Sequence, residues 1–171
     1  MEADGSFWVS LIGSVRTVFR GQLTYSSNWA KGYPSFGRTL DFISIDAYFP
    51  LNAAPTAATA DLVNAWGPWI ARLDRIRRSF GRPLVLTELG VTSQVASFQQ
   101  PWLWDNGKPV DLVSQETYYQ ASCQATTPNV SGLYWWMYTI DPPAAPMLDK
   151  GFAVAGKPAE AALGRCFGGH L

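Results

Sequence analysis

The chain has 171 residues, 47% hydrophobic and 15% charged, and its thirteen basic residues balance thirteen acidic ones. A net charge of zero argues against nucleic acid or an anionic membrane surface as the main partner, since both require a basic field. The apolar fraction excludes disorder, no apolar run reaches the ~20 residues of a membrane span, and the length suits a single domain over residues 1–171.

Residues 6–19 place Trp8, Leu11, Ile12, Val15, Val18 and Phe19 on one helical face, and Gly21 ends that helix. Residues 22–28 read as a strand and 30–39 as a Gly/Pro loop. Residues 41–48 read as a second strand, with Ile43, Ile45 and Ala47 on one face and Ser44, Asp46 and Tyr48 on the other. After an Ala/Pro loop, a helical pattern runs from about Thr59 to Phe80; Pro68 either kinks it or divides it in two, and Gly81 stops it. Residues 83–88 form a third strand, short and apolar as buried parallel strands are. A long connection, 91–112, leads to a helix that Ser114 caps and that runs to about Ala125. Residues 131–137 read as a fourth strand, 139–157 as a Pro/Gly loop, and Pro158 opens a last helix to about Phe167. This alternation implies an α/β fold with a parallel sheet and right-handed crossovers.

The chemistry starts at Glu88, which ends the third strand. In parallel α/β folds function gathers at the carboxyl ends of strands. A carboxylate there either is held by donors for a functional role or forms a structural ion pair with an arginine such as Arg82. Asp46 and Tyr48 end the neighbouring strand; Asp46 suits a substrate hydroxyl or a loop anchor, and a tyrosine hydroxyl beside a carboxylate orients it. Asn28 and Trp29 end the first strand. Trp135 and Trp136 lie on the last, and only one of two adjacent side chains can face the inner side of a sheet. Trp102 and Trp104 stand in the long connection. The eight tryptophans either fill the core or line a groove for flat apolar ligands such as sugar rings.

Cys123 and Cys166 form no CxxC pair and the single histidine is His170, so the residues offer no Cys/His metal site, no Cys/His or Ser/His nucleophile pair and no cofactor. The cysteines are either one disulfide or two free buried thiols. Residues 1–20 lack the pattern of a signal peptide, and a secreted or periplasmic ancestry stays open.

Four runs in order carry a resemblance: LTYSSNW at 23–29, DFISIDAYFPL at 41–51, GRPLVLTELG at 81–90 and GLYWW at 132–136. Together they resemble retaining glycoside hydrolases of the (β/α)8 clan. They are most similar to the family 113 β-mannanases and more distantly to family 5. The resemblance covers about residues 6–167 and implies half of a TIM barrel, four parallel βα units equivalent to strands five to eight. It implies that Glu88 is the nucleophile or charge stabiliser, that Tyr48 lies near it, and that Trp136 (or Trp135) is the platform under the sugar. It puts Asn28 and Trp29 at the end of strand five. The substrate it implies is a β-linked glucan or mannan, cut internally.

A full barrel takes about 250 residues, and the first half has no counterpart here. The clan's acid/base glutamate belongs to that half. Glu2 falls near its place without the preceding Asn or a strand to hold it, which leaves Asp46, Asp141 and Glu116 as candidate acids. A non-catalytic carbohydrate-binding half-barrel is the alternative reading. In the implied barrel Cys123 and Cys166 sit on neighbouring helices, so a disulfide between them is expected. Four strands also leave two open edges and an inner face carrying Leu84 and Leu86. The simplest cover is a homodimer that completes the barrel through an apolar interface of at least about 2,000 Å², with Asp141 of the partner near Glu88.

Overall fold

The computed structural model describes residues 4–168; Glu2 and His170 lie outside them. The elements in chain order are α1 (Gly5–Val18), β1 (Ser26–Asn28), β2 (Ile43–Asp46), α2 (Thr59–Phe80), β3 (Leu84–Glu88), α3 (Leu112–Thr126), β4 (Gly132–Leu133) and α4 (Pro158–Cys166). Short 3-10 turns lie at Ser35–Thr39, Ser97–Gln99 and Pro146–Leu148. The strands form one parallel sheet in the order β1-β2-β3-β4, as strand–helix alternation requires.

Local chemistry explains the helix ends. Asp4 caps α1 by accepting the Phe7 amide at 3.1 Å. At the start of α2, Asp61 reaches back to the Ala58 amide at 3.0 Å, and Gly81 ends the helix in the left-handed region at φ 63°. Pro68 sits inside one unbroken helix. Its missing N–H removes the donor to the Asn64 carbonyl, and both residues lie on the exposed side of the helix. The cap of α3 is Asp111 and not Ser114. One Asp111 carboxylate oxygen accepts both the Val113 and Ser114 amides at 3.1 Å, and the Ser114 hydroxyl donates to the other.

The two outer strands are shorter than the sequence suggests. In β1 the ladder begins only at Ser26, because the Asp41 carboxylate takes the Leu23 amide at 2.7 Å. The fourth strand continues as extended chain beyond Leu133, with the Tyr134 amide on the Leu86 carbonyl and the Trp136 amide on the Leu89 carbonyl. The Trp136–Met137 peptide that follows is cis.

The core lies between the sheet and its helices. Ile43, Ile45 and Ala47 join Leu84 and Leu86 against Leu62, Trp66 and Leu73 of α2 and Tyr118, Tyr119 and Ala121 of α3. The Trp66 indole donates to the Ser122 hydroxyl at 3.1 Å, so its polar edge is satisfied in this buried seam. Leu84 and Leu86 therefore face the helices, not the inner side of the sheet. That inner side is polar. Thr24 and Ser44 share a 2.7 Å hydroxyl contact, Ser26 and Thr87 both donate to one oxygen of Asp46 at 2.6 and 3.0 Å, and Ser26 and Thr87 also touch each other.

Cys123 on α3 and Cys166 on α4 form a disulfide, with their Cα atoms 5.8 Å apart. A smaller cluster, Ile12 of α1 with Phe36, Leu40, Trp8, Leu23 and Tyr25, seats α1 beside the start of β1. No helix among the described residues is long and apolar enough to cross a membrane.

Candidate active site

The register of the two central strands sets Glu88 beside Asp46, across an irregularity between Ile45 and Asp46. Two residues beyond Asp46, Tyr48 donates its hydroxyl to a carboxylate oxygen of Glu88 at 2.9 Å. Burial raises the Tyr48 phenol well above its ordinary range, and the bond to Glu88 raises it further. The phenol thus stays protonated and remains a donor. Arg82 belongs to the other end of β3, where it donates to the Arg38 carbonyl at 3.5 Å; the contact Glu88 makes is with Tyr48 and not with that arginine.

From Tyr48 a chain of ring contacts runs through aromatic side chains of three loops. The Tyr48 ring meets Phe152 edge to face at 6.4 Å, Phe152 meets Trp104 at 5.0 Å, and Trp104 meets Trp136 at 6.4 Å. The adjacent tryptophans divide as a strand demands. Trp135 stacks on Tyr119 of α3 at 4.5 Å in the helix layer, which leaves Trp136 to the rim. Gly90 makes that position of Trp136 possible: a Cβ at residue 90 would lie 1.7 Å from the Trp136 carbonyl oxygen.

Trp104 is delivered by the long connection, which is ordered from within. The buried Gln94 amide donates to the Asp105 carboxylate at 2.7 Å and to the Lys108 carbonyl at 3.0 Å. Phe152 is delivered by the loop after β4, and one buried cation ties the two loops together. The Lys157 ammonium donates to Asp149 at 2.6 Å, the Ser93 hydroxyl at 2.9 Å and the Gly151 carbonyl at 3.0 Å.

Other candidate residues fall elsewhere. Trp29 turns toward α2, where it meets Phe49 and Trp69, and Trp102 stacks over it at 5.2 Å. This second aromatic group is separate from the Glu88 cluster. Asn28 is exposed at the rim, and its side-chain oxygen accepts the Ala30 amide at 3.0 Å. Asp46 anchors the inner face through Ser26 and Thr87. Glu116 lies in the helix layer, accepting from Gln120 and standing 3.8 Å from Arg165 of α4. Asp141 is exposed in the loop after β4. Sequence reasoning missed Phe152, which has no local signal in its loop, and the Ser26–Thr87 pair, whose signal was the alternation of hydroxyl residues along the strands. Among the described residues no group of three or more His, Cys, Asp or Glu could hold a metal ion.

A parallel α/β sheet with a tyrosine-held carboxylate at the carboxyl end of its third strand, beside an aromatic wall, defines half of a (β/α)8 barrel of the glycoside hydrolase kind. The sequence model of glycoside hydrolase family 113 matches residues 1–157, and the chain belongs to that family. It is similar to the solved GH113 β-mannanase AaManA from Alicyclobacillus acidocaldarius, in complex with ManMIm: 27% identity, TM-score 0.80, covering 95% of this chain and 50% of that one. A second solved structure, a GH113 β-1,4-mannanase, gives 26% identity and a TM-score of 0.83 over 99% of this chain and 52% of the other. A family 5 mannosidase from Rhizomucor miehei, at 11% identity and a TM-score of 0.64, shares the fold. The chain thus spans about half the length of the solved family members it matches. No curated protein matches it.

Proposed function

We propose that this chain supplies the nucleophile side of an endo-acting glycosidase site for a β-linked polysaccharide, with β-1,4-mannan as the favoured substrate. The observation that carries the reading is the Tyr48–Glu88 hydrogen bond at the carboxyl end of β3. One Glu88 oxygen attacks the anomeric carbon and forms a glycosyl ester while the bond to the leaving oxygen breaks. A general acid protonates that oxygen, and water then hydrolyses the ester with return of the proton to the acid. Tyr48 holds Glu88 in line through its hydroxyl hydrogen bond. Trp136 and Trp104 offer faces to the sugar, and Asp46 and Asn28 offer polar contacts at the rim. Retaining chemistry needs the acid roughly 5–5.5 Å from Glu88. Asp141, in the loop after β4 of this chain or of a facing copy, is the candidate on this sequence. The preference for mannan rests on the substrates named for the two similar family 113 structures.

A second reading, a carbohydrate-binding half-barrel without turnover, rests on the ring contacts that join Tyr48, Phe152, Trp104 and Trp136. Reducing-sugar release from β-1,4-mannan and β-glucan separates the two. The first reading expects hydrolysis by the wild type and a loss of several orders of magnitude in Glu88→Gln. Near-normal activity in Glu88→Gln would sink the nucleophile assignment. Mannan binding by a wild type that never hydrolyses it would establish the second reading.

A further inference from the structure

Charge is unevenly spread on a chain whose total is zero. Residues 72–82 hold five arginines, Arg72, Arg75, Arg77, Arg78 and Arg82, against a single acid, Asp74. Asp74 pairs with Arg77 and Arg78. Among the described residues Arg72, Arg75 and Arg38, which lies in the loop between β1 and β2, pair with no carboxylate. Arg72 donates to the Lys31 carbonyl at 2.7 Å, Arg75 to the Ala71 carbonyl at 3.4 Å and Arg38 to the Ser79 carbonyl at 3.0 Å.

These guanidiniums border a groove of about 350 Å³ on the outer face of α2, lined by Tyr33, Arg72, Arg75, Ile76, Ser79 and Phe80. That volume falls within the ~300–1,000 Å³ of ligand-binding clefts. The floor of the groove is carbon. Tyr33, Ile76 and Phe80 are half-buried, Tyr33 meets Phe80 edge to face at 5.2 Å, and the Tyr33 hydroxyl turns inward to donate to the Tyr25 carbonyl at 3.0 Å. The banks are cationic. The Arg38 guanidinium lies 5.0 Å over the Phe80 ring and that of Arg72 5.9 Å over the Trp69 ring, so aromatic faces hold both in place. A planar fork held this way, with donors not spent on a carboxylate, is suited to two-pronged recognition of a carboxylate from outside the chain. From Trp69 the rings continue through Trp29 at 6.1 Å to the exposed Trp102 at the rim, stacked on Trp29 at 5.2 Å.

We propose that this groove is a second carbohydrate site, apart from Glu88, that binds an acidic polysaccharide built of uronate sugars. Arg72 and Arg75 are i,i+3 neighbours on α2, about 5–6 Å apart, which is close to the length of one pyranose unit. Successive ring carboxylates can thus each meet a guanidinium, while the apolar faces of the sugars rest on Tyr33 and Phe80. A groove admits a single polymer chain, whereas a flat lipid surface would touch only its banks. The zero net charge of the whole chain disfavours nucleic acid. Such a site tethers the protein to a matrix in which acidic chains lie among neutral ones, and it does not rest on the role of Glu88.

Affinity electrophoresis through gels that contain polygalacturonate tests this, with polyphosphate and phosphatidylglycerol vesicles as competitors. The wild type is expected to be retarded, and less so as salt rises. R72E/R75E should raise the dissociation constant at least tenfold. R72Q/R75Q, which keeps a polar donor at both positions, should raise it severalfold and decides the matter if the charge reversal disturbs the fold, as circular dichroism would show. R20E/R165E, the same change of charge after α1 and on α4, should bind as the wild type does, and so should Glu88→Gln. The proposal is overturned if the wild type ignores polygalacturonate, or if R72E/R75E and R72Q/R75Q bind it unchanged. Equal losses in R20E/R165E or in Glu88→Gln would overturn it as well. So would polyphosphate or vesicles that compete as well as free polygalacturonate, since the groove would then read charge and not sugar. The readout is binding and not hydrolysis, so its failure and that of the nucleophile assignment are told apart.

Discussion

Replacing Gly90 with alanine tests how Trp136 is held at the rim. The added Cβ would lie 1.7 Å from the Trp136 carbonyl oxygen and 2.8 Å from its carbon. A carbon–oxygen contact normally needs about 3.3 Å, so the two backbones must separate by about 1.5 Å. That shift would break the 2.8 Å bond from the Trp136 amide to the Leu89 carbonyl and draw the Trp136 carbonyl away from the Tyr119 hydroxyl, now 3.4 Å from it. Two hydrogen bonds at about 1 kcal/mol each, with about 1–3 kcal/mol of overpacking, give a loss of about 3–5 kcal/mol. Urea unfolding followed by circular dichroism measures it. Gly67→Ala is the control, since a Cβ there meets nothing within 4 Å in the middle of α2. It should gain up to about 1 kcal/mol from helix propensity. A Gly90→Ala protein within about 1 kcal/mol of wild type would refute the close-approach argument.

Reduction of Cys123–Cys166, which closes a loop with a sequence separation of 43, should lower stability by up to about 4 kcal/mol; urea midpoints with and without dithiothreitol read this out. Lys157→Met strips the ammonium from Asp149, Ser93 and Gly151 and should cost about 3 kcal/mol. Burial holds the Lys157 pKa below its ordinary value of 10.5, against the pull of Asp149. The unfolded chain therefore keeps this proton to higher pH, and the contribution of the group to stability rises from the native pKa up toward 10.5. Urea midpoints across this alkaline range should climb in the wild type relative to Lys157→Met; parallel curves would defeat the assignment.

The sequence was most legible where two layers enclose a segment. The alternation in residues 41–48 and the apolar run before Glu88 mark β2 and β3, because both strands have a neighbour on each side. The outer strands were over-read, since propensity extends past the point where a partner is present to form a ladder. The sequence reading puts Leu84 and Leu86 on the inner face, and the structure turns them to the helices: a parallel strand shows apolar residues on whichever face the helices cover. Ser114 is a good cap by residue type, but Asp111 three residues before it is a better one: its carboxylate, with two oxygens, accepts two amides and the serine hydroxyl together. At the rim, Glu88 and Tyr48 could be placed from strand ends alone, whereas the choice between Trp135 and Trp136 needed the stacking of Trp135 on Tyr119. Phe152 could not, because only the Lys157 network brings its loop beside Tyr48.

The hydroxyl-lined inner face bears on the order of assembly. Thr24, Ser26, Ser44, Asp46 and Thr87 satisfy one another within a single sheet, while the large apolar side chains are buried between that sheet and its own helices. The hydrogen bonds of this face therefore come from within one sheet, yet they join distant segments, since Ser26 and Thr87 lie 61 positions apart. Parallel pairing over such separations is slow, because the intervening loops must close before the contacts reward them.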